Sequence, residues 1–172
     1  MWRRTILATA AVLITTQGSL IQAAAPYDED QTLDRTFQHY QDAWFELRPL
    51  DATRLGDRRF DARLDDLSPA NRAKFAALNR ATYEALPRQV AVNRLSRDGR
   101  IDYEIFRHEL EKSLWLEENT RPYEQDPRVY NEYLADCAYL ILAQTSSPKE
   151  TAISNCIVRM RQIPGIVATA KA

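Results

Sequence analysis

Two histidines, His39 and His108, are the residues best suited to metal binding or general-base catalysis in this sequence. His108 begins residues 108–112, His-Glu-Leu-Glu-Lys, which resemble the start of the helical zinc motif His-Glu-x-x-His. That motif needs a second imidazole four residues after the first, and Lys112 stands there with an ammonium group that has no lone pair for a metal. His39 has no second ligand near it in the sequence. We therefore predict no metal ligand and no metal-based catalytic residue in this chain.

A second group of titratable residues lies in the least regular part of the sequence, between residues 49 and 68. The group consists of Asp57, Asp61, Asp65, Asp66, Arg54, Arg58, Arg59 and Arg63. Paired carboxylates can serve acid–base chemistry. The same residues also fix loops through exposed ion pairs worth about 0–1 kcal/mol each, and we favour this second interpretation. With four glycines and no G-x-S-x-G segment, the sequence offers neither a phosphate-binding loop nor a serine-hydrolase nucleophile. We predict no catalytic and no cofactor-binding residue.

The elements that must position these residues belong to a globular protein. The 172 residues include 23 Lys+Arg and 24 Asp+Glu, a net charge of −1 that does not favour nucleic acid as a partner. With 45% hydrophobic and 27% charged residues, the composition is that of a folded chain.

The first 24 residues have the pattern of a secretory signal peptide. Arg3 and Arg4 precede an apolar run over residues 6–14, and three alanines at 23–25 provide a cleavage region. No cysteine follows the apolar run, which argues against a lipid anchor. We predict a signal peptide over 1–24, a helical domain over 25–172, a secreted or periplasmic location, and no membrane attachment after cleavage. An uncleaved N-terminal anchor is the alternative.

Helical periodicity dominates the rest of the sequence, and no alternating strand pattern is present. We predict an all-α fold, an irregular bundle of about five to six antiparallel helices after the signal peptide. Pro49, Pro87 and Pro164 are expected to end or interrupt helices, Gly56 to end a short helical turn, and Ser96–Gly99 to form a turn before a helix that starts near Ile101. The expected inward faces are Leu33, Phe37, Tyr40, Trp44 and Leu47; Phe75, Leu78, Thr82 and Leu86; Tyr103, Phe106, Leu110 and Leu114; Tyr130, Leu134, Cys137 and Ile141; and Ile153, Cys156, Ile157 and Met160.

The two cysteines, Cys137 and Cys156, are placed symmetrically about a predicted turn at residues 145–148. Equal distances from the turn bring both to the same height on paired antiparallel helices. We predict a candidate disulfide, which an oxidising compartment permits. Two buried free thiols are the alternative.

Five motifs, in order, resemble a bacterial family catalogued as domain of unknown function 885. Residues 49–61 match P-x-x-A-T-x-L-G-D-x-R-F-D, and residues 67–69 match its L-S-P. Residues 101–106 match its hydrophobic-D-Y-x-x-F element, residues 126–130 its D-P-x-x-Y, and residues 159–164 its R-x-x-x-I-P. The order of the five motifs is more specific than any one of them.

The resemblance implies a mostly helical, secreted or periplasmic protein similar to zinc metallopeptidases of the gluzincin type. Family members are usually much longer, with an H-E-x-x-x-G-H-H-like segment far toward the C-terminus, and nothing in this sequence corresponds to that segment. Zinc is therefore expected only in a full-length member, and this chain looks like an N-terminal fragment.

The first functional hypothesis is the N-terminal helical region of a secreted metallopeptidase-like hydrolase, inactive alone. Its partners are then the missing C-terminal portion of the same fold and, in the intact enzyme, a peptide substrate. Gly56, Asp57, Arg59 and Asp61 are the candidate wall of the substrate cleft. The second hypothesis is a free-standing periplasmic helical module that binds another protein.

Overall fold

The computed structural model describes residues 28–143 and 147–171, so the predicted signal peptide lies outside the described residues. Within them the chain forms seven α-helices, two short 3₁₀ helices and no strand, which confirms the all-α prediction. The α-helices are α1 (Asp28–Leu47), α2 (Pro49–Arg54), α3 (Pro69–Gln89), α4 (Arg97–Asn119), α5 (Pro122–Gln125), α6 (Arg128–Ala143) and α7 (Lys149–Lys171). The 3₁₀ helices are Arg58–Phe60 and Val92–Arg94.

Serine side chains begin two of the long helices. The Ser68 hydroxyl accepts a hydrogen bond from the backbone N–H of Asn71, and the Ser96 hydroxyl accepts one from that of Gly99. Each bond satisfies one of the free N–H groups at a helix start. The expectation of a separate turn at Ser96–Gly99 is therefore wrong, because these residues are the cap and first turn of α4.

Two prolines lie inside helices that we expected them to end or interrupt. Helix α3 continues past Pro87 to Gln89, and α7 continues past Pro164 to Lys171. A proline removes one backbone donor. Here the residues beyond each proline, Val90 and Ile166, are buried, so packing of the apolar side chains offsets the lost hydrogen bond.

The long helices form two packed groups. Helices α1, α3 and α4 enclose one core, whose buried residues are Leu33, Tyr40, Leu86, Val90, Leu95, Tyr103, Phe106 and Leu110. Helices α6 and α7 pack against each other and enclose a second core with Leu50 and Leu67. Residues 49–67, which include α2, lie between the two groups; we call them the joining segment.

The predicted inward face of α4 is confirmed, since Tyr103, Phe106, Leu110 and Leu114 are all buried. On α6 the prediction missed Tyr133, which is buried, whereas Tyr130 and Leu134 are half-buried.

On α7 the predicted inward face is wrong except at Cys156. Ile153, Ile157 and Met160 are 47%, 46% and 54% exposed. The buried residues are instead Ala152, Cys156, Arg159 and Ile166. The exposed and the buried residues form two rows on this helix, about 100° apart around its axis. The spacing of the apolar residues pointed to the exposed row, which the other described helices do not cover.

Candidate functional site

Gly56 shapes the start of the predicted cleft loop. Its φ is +89°, a conformation that glycine adopts without steric cost. The N–H of Gly56 donates to Thr53 O at 3.1 Å, and the N–H of Asp57 donates to Ala52 O at 2.9 Å. These bonds end α2 and turn the chain back, so the predicted helix stop at Gly56 is confirmed.

Asp57 and Arg59 hold this loop at the surface. The Asp57 carboxylate accepts from the Arg59 backbone N–H at 2.9 Å and pairs with the Arg59 guanidinium at 2.6 Å. The Arg59 guanidinium also contacts Asp42 of α1 at 2.7 Å. Hydrogen bonds from Arg59 lower the pKa of Asp57. Hydrogen bonds to the Asp57 and Asp42 carboxylates raise the pKa of Arg59. The pairs fix the loop on α1, which is the role favoured from the sequence.

Asp61 faces the interior instead of a cleft. Its side chain is 3% exposed, accepts from the Thr53 hydroxyl at 2.9 Å, and lies 3.4 Å from the Arg58 guanidinium. Of the four predicted cleft residues, only Gly56, Asp57 and Arg59 therefore remain available to a cleft at the surface.

The most deeply buried charged side chain is one that sequence reasoning did not select. Arg159 of α7 is fully buried and reaches the joining segment. Its guanidinium donates to the Thr53 hydroxyl at 2.5 Å, to Cys137 O at 3.2 Å and to Phe60 O at 3.4 Å. Burial lowers its pKa, because a cation loses hydration there.

A second buried contact joins the same segment to α6. The Asp65 carboxylate accepts from Arg48 Nε and from the Leu50 N–H, both at 2.9 Å. The Asp65 N–H donates to the Tyr133 hydroxyl at 2.6 Å. Burial raises the pKa of Tyr133, so its hydroxyl stays protonated.

The hydrogen bond between Thr53 and Arg159 joins two of the five motifs, residues 49–61 and 159–164. The presence of both motifs was the signal in the sequence that could have pointed to these buried residues.

The two histidines and the two cysteines are the remaining reactive side chains. His39 and His108 are exposed on α1 and α4. In the part of the chain that the structure describes, no three His, Cys, Asp or Glu residues are grouped so as to hold a metal ion. Cys137 and Cys156 are buried free thiols, and burial raises the pKa of Cys137. The disulfide stays a prediction.

Helix α7 presents an uncovered apolar row on its outer side. The row, called the outer row, consists of Ile153, Ile157, Met160, Pro164 and Val167. All five residues are exposed. Their spacing of four, three, four and three residues gives a straight stripe about 21 Å long. Tyr139 and Leu142 of α6 are exposed as well. The stripe has the form of a helix-packing face.

Over the described ranges, no helix combines the length and apolar character needed to cross a membrane.

Comparison with known proteins identifies the fold and the family. No curated protein matches the chain. A solved structure, that of a candidate lipoprotein of unknown function from Shewanella oneidensis, superposes with a TM-score of 0.73 at 24% identity. The match covers 81% of this chain and 25% of that one, so this chain spans about a quarter of that protein's length. The profile of the family described as "Bacterial protein of unknown function (DUF885)" matches residues 49–172, and the chain belongs to that family.

Proposed function

We propose that this chain is the N-terminal helical region of a secreted metallopeptidase-like hydrolase and is inactive alone. The observation that carries the proposal is the outer row of α7, an apolar helix face that the described residues leave exposed. In the intact protein the C-terminal part of the same fold would cover this row. That part would supply the zinc ligands and the catalytic base, and a peptide would be the substrate.

The exposure of the outer row gives an estimate of the free energy that covering it would contribute to the association. Complete burial of a large aliphatic side chain contributes about 1.5–3 kcal/mol. Ile153, Ile157 and Met160 are each about half exposed, so covering them contributes about 1 kcal/mol per residue, or about 3 kcal/mol together. The relation to the Shewanella oneidensis protein supports the proposal, because about three quarters of that chain lies outside the match.

The proposal is tested first on the DNA that follows the coding region. A continuation that encodes an H-E-x-x-x-G-H-H-like segment, in frame or after one frameshift, is expected. Unrelated sequence after a genuine stop would refute the proposal. The encoded continuation is then produced separately, mixed with this chain, and the complex is measured by size-exclusion chromatography.

A matched pair of variants locates the contact. Ile157→Glu places a charge in the outer row and should abolish the complex, whereas Val158→Glu changes an exposed residue of the same helix outside the row and should not. Equal binding by both variants would exclude the outer row as the contact. The purified chain should show no zinc-dependent peptidase activity above background, and turnover by the chain alone would overturn the statement that it is inactive.

The second candidate function is a free-standing periplasmic module that binds another protein. The observation in its favour is that α1, α3 and α4 already enclose their own core. A sharp, cooperative thermal transition of a well-behaved monomer would favour this function. Association through the exposed outer row favours the first.

The N-terminal pattern supports a location outside the cytoplasm. We propose export through a signal peptide, and the mature chain should begin between about Ala24 and Tyr27 on N-terminal sequencing. The description of the Shewanella oneidensis protein as a candidate lipoprotein agrees with a location outside the cytoplasm. An intact Met1 form in the cytoplasm would contradict export.

A further inference from the structure

Helices α1 and α4 form the two walls of an open groove of about 630 Å³. The helices run in the same direction, because Asp30 near the start of α1 accepts from the Ser96 N–H at 2.9 Å, and Phe37 meets Phe106 about two to three turns further along both helices. From Asp34 to Trp44 the groove follows α1 for about 15 Å, at 1.5 Å per residue. Its volume lies in the usual range of ligand-binding clefts, about 300–1,000 Å³.

The middle of the groove is aromatic. The Phe106 ring lies 5.2 Å from the rings of both Phe37 and Tyr40, measured between ring centroids. Tyr40 and Phe106 are buried and form the floor, whereas Phe37 on one wall and Ile105 on the other are 40% and 57% exposed. The groove therefore offers apolar surface that this chain's described residues leave in contact with water.

The charge on the walls has one sign. Asp34 of α1 and Asp102 of α4 lie at the end where both helices begin, and Glu109 lies further along. No lysine, arginine or histidine is among the described residues that line the groove. Lys112 pairs with Glu109 from outside. Within residues 28–143 and 147–171, the side chains of Asp34 and Asp102 make no hydrogen bond or ion pair, so one end of the groove keeps two carboxylates without a bound cation.

We propose that this groove binds an amphipathic helical segment of a partner protein, with basic side chains at one end and an apolar face along its length. Two parallel helices provide a trough for a third, in which residues spaced three and four apart insert into the aromatic middle. The basic side chains would meet Asp34 and Asp102. The assignment does not depend on the hydrolase proposal, since groove and outer row are on different helices.

The probe is a synthetic helical peptide of about 14 residues, roughly 21 Å long, with leucines at i, i+3, i+4 and i+7 and two arginines in its first turn. A matched peptide carries glutamates in place of the arginines. Binding to the purified chain is measured by isothermal titration calorimetry. We expect the basic peptide to bind, the acidic peptide not to bind, and the affinity to fall when ionic strength rises from about 0.1 M to about 1 M.

Variants then assign the site. Asp34→Asn combined with Asp102→Asn should weaken binding of the basic peptide about three- to tenfold, as expected for two partly exposed ion pairs. The control, Glu104→Gln with Glu111→Gln, neutralises two exposed carboxylates of α4 outside the groove and should leave the affinity unchanged. Ile105→Asn should also weaken binding, because it places an amide in the apolar wall. Circular dichroism confirms that each variant is folded.

Three outcomes would overturn the proposal. These are no binding of the basic peptide, equal binding of both peptides, and equal affinity of the Asp34/Asp102 variant and its control. Loss of binding when the chain is joined to its encoded continuation would instead show that the continuation occupies the groove. The hydrolase proposal is tested by the α7 variants, so the two can fail separately.

Discussion

Replacing Arg159 by methionine tests whether the buried guanidinium holds the joining segment on α7. Methionine keeps most of the aliphatic volume but has no donor. The change leaves the Thr53 hydroxyl, the Cys137 carbonyl and the Phe60 carbonyl without the donor they share. Because Arg159 is fully buried, water cannot replace these bonds without opening the packing between α7 and the joining segment.

The expected cost can be worked out from these contacts. Hydrogen bonds that involve a charged partner contribute about 1.5–3 kcal/mol each. The 2.5 Å bond to Thr53 and the 3.2 Å bond to Cys137 are the short ones, and the 3.4 Å bond to Phe60 adds little. Removing a buried cation also recovers part of its desolvation cost. We expect a net loss of about 3 kcal/mol in the free energy of unfolding.

Urea unfolding followed by far-ultraviolet circular dichroism measures the loss. With a slope of about 2 kcal/mol per molar urea, the midpoint should fall by about 1.5 M. The matched control is Arg161→Met, which removes an exposed guanidinium from the same helix and should change stability by less than about 0.5 kcal/mol. Arg159→Lys should lie between the two, because an ammonium group cannot reach acceptors in several directions. Equal midpoints for Arg159→Met and Arg161→Met would refute the reasoning.

Three further experiments test the two glycines, the Asp57–Arg59 pair and the two cysteines. Gly56→Ala and Gly165→Ala should have opposite effects, because an added methyl group meets no atom within 4 Å at either position and only Gly56 has a positive φ. We expect a loss of about 1 kcal/mol for the first and a gain of up to about 1 kcal/mol for the second, measured by urea unfolding, and a change of the same sign would contradict this. Arg59 lowers the folded-state pKa of Asp57, so the stability that this carboxylate contributes is complete above its ordinary pKa of about 3.9 and is lost as the pH falls through the lowered value. Asp57→Asn should flatten that acid limb of the stability curve, and an unchanged limb would exclude this cause. Alkylation of the secreted chain without reductant, followed by mass spectrometry, tests the disulfide: a linked peptide pair would establish it, and two alkylated cysteines would exclude it.

Much of the fold could be predicted from local sequence signals. Serine before a helix start, as at Ser68, and apolar residues spaced three and four apart, as on α4, act over a few residues and are visible in the sequence. The continuation of α3 past Pro87 and of α7 past Pro164 could not be predicted in this way. Whether a proline ends a helix depends on what the following turn packs against. Val90 and Ile166 are buried in clusters that include residues distant in the chain, such as Leu33 and Leu50.

The buried charges could not be predicted for the same reason. Asp61 and Arg159 look like surface residues, since charged side chains are rarely buried without partners. In the folded chain both charges contact Thr53, which accepts from Arg159 across 106 residues of sequence and donates to Asp61. Spacing rules carry no information at that separation. The motifs did mark both ends of the contact, at residues 49–61 and 159–164, but did not show that the two ends meet.

The wrong prediction for the outer row of α7 has a different cause, and that cause supports the proposed function. The spacing of Ile153, Ile157 and Met160 predicts a buried face, and the described elements leave these residues about half exposed. The other row of the helix is buried around Arg159, whose guanidinium needs the acceptors of the joining segment, so α7 cannot rotate to bury the outer row without breaking those bonds. Both faces can be buried together only if a further element packs on the outer side. A helix with apolar residues on two faces and one face uncovered is what a section of a larger helical protein would show.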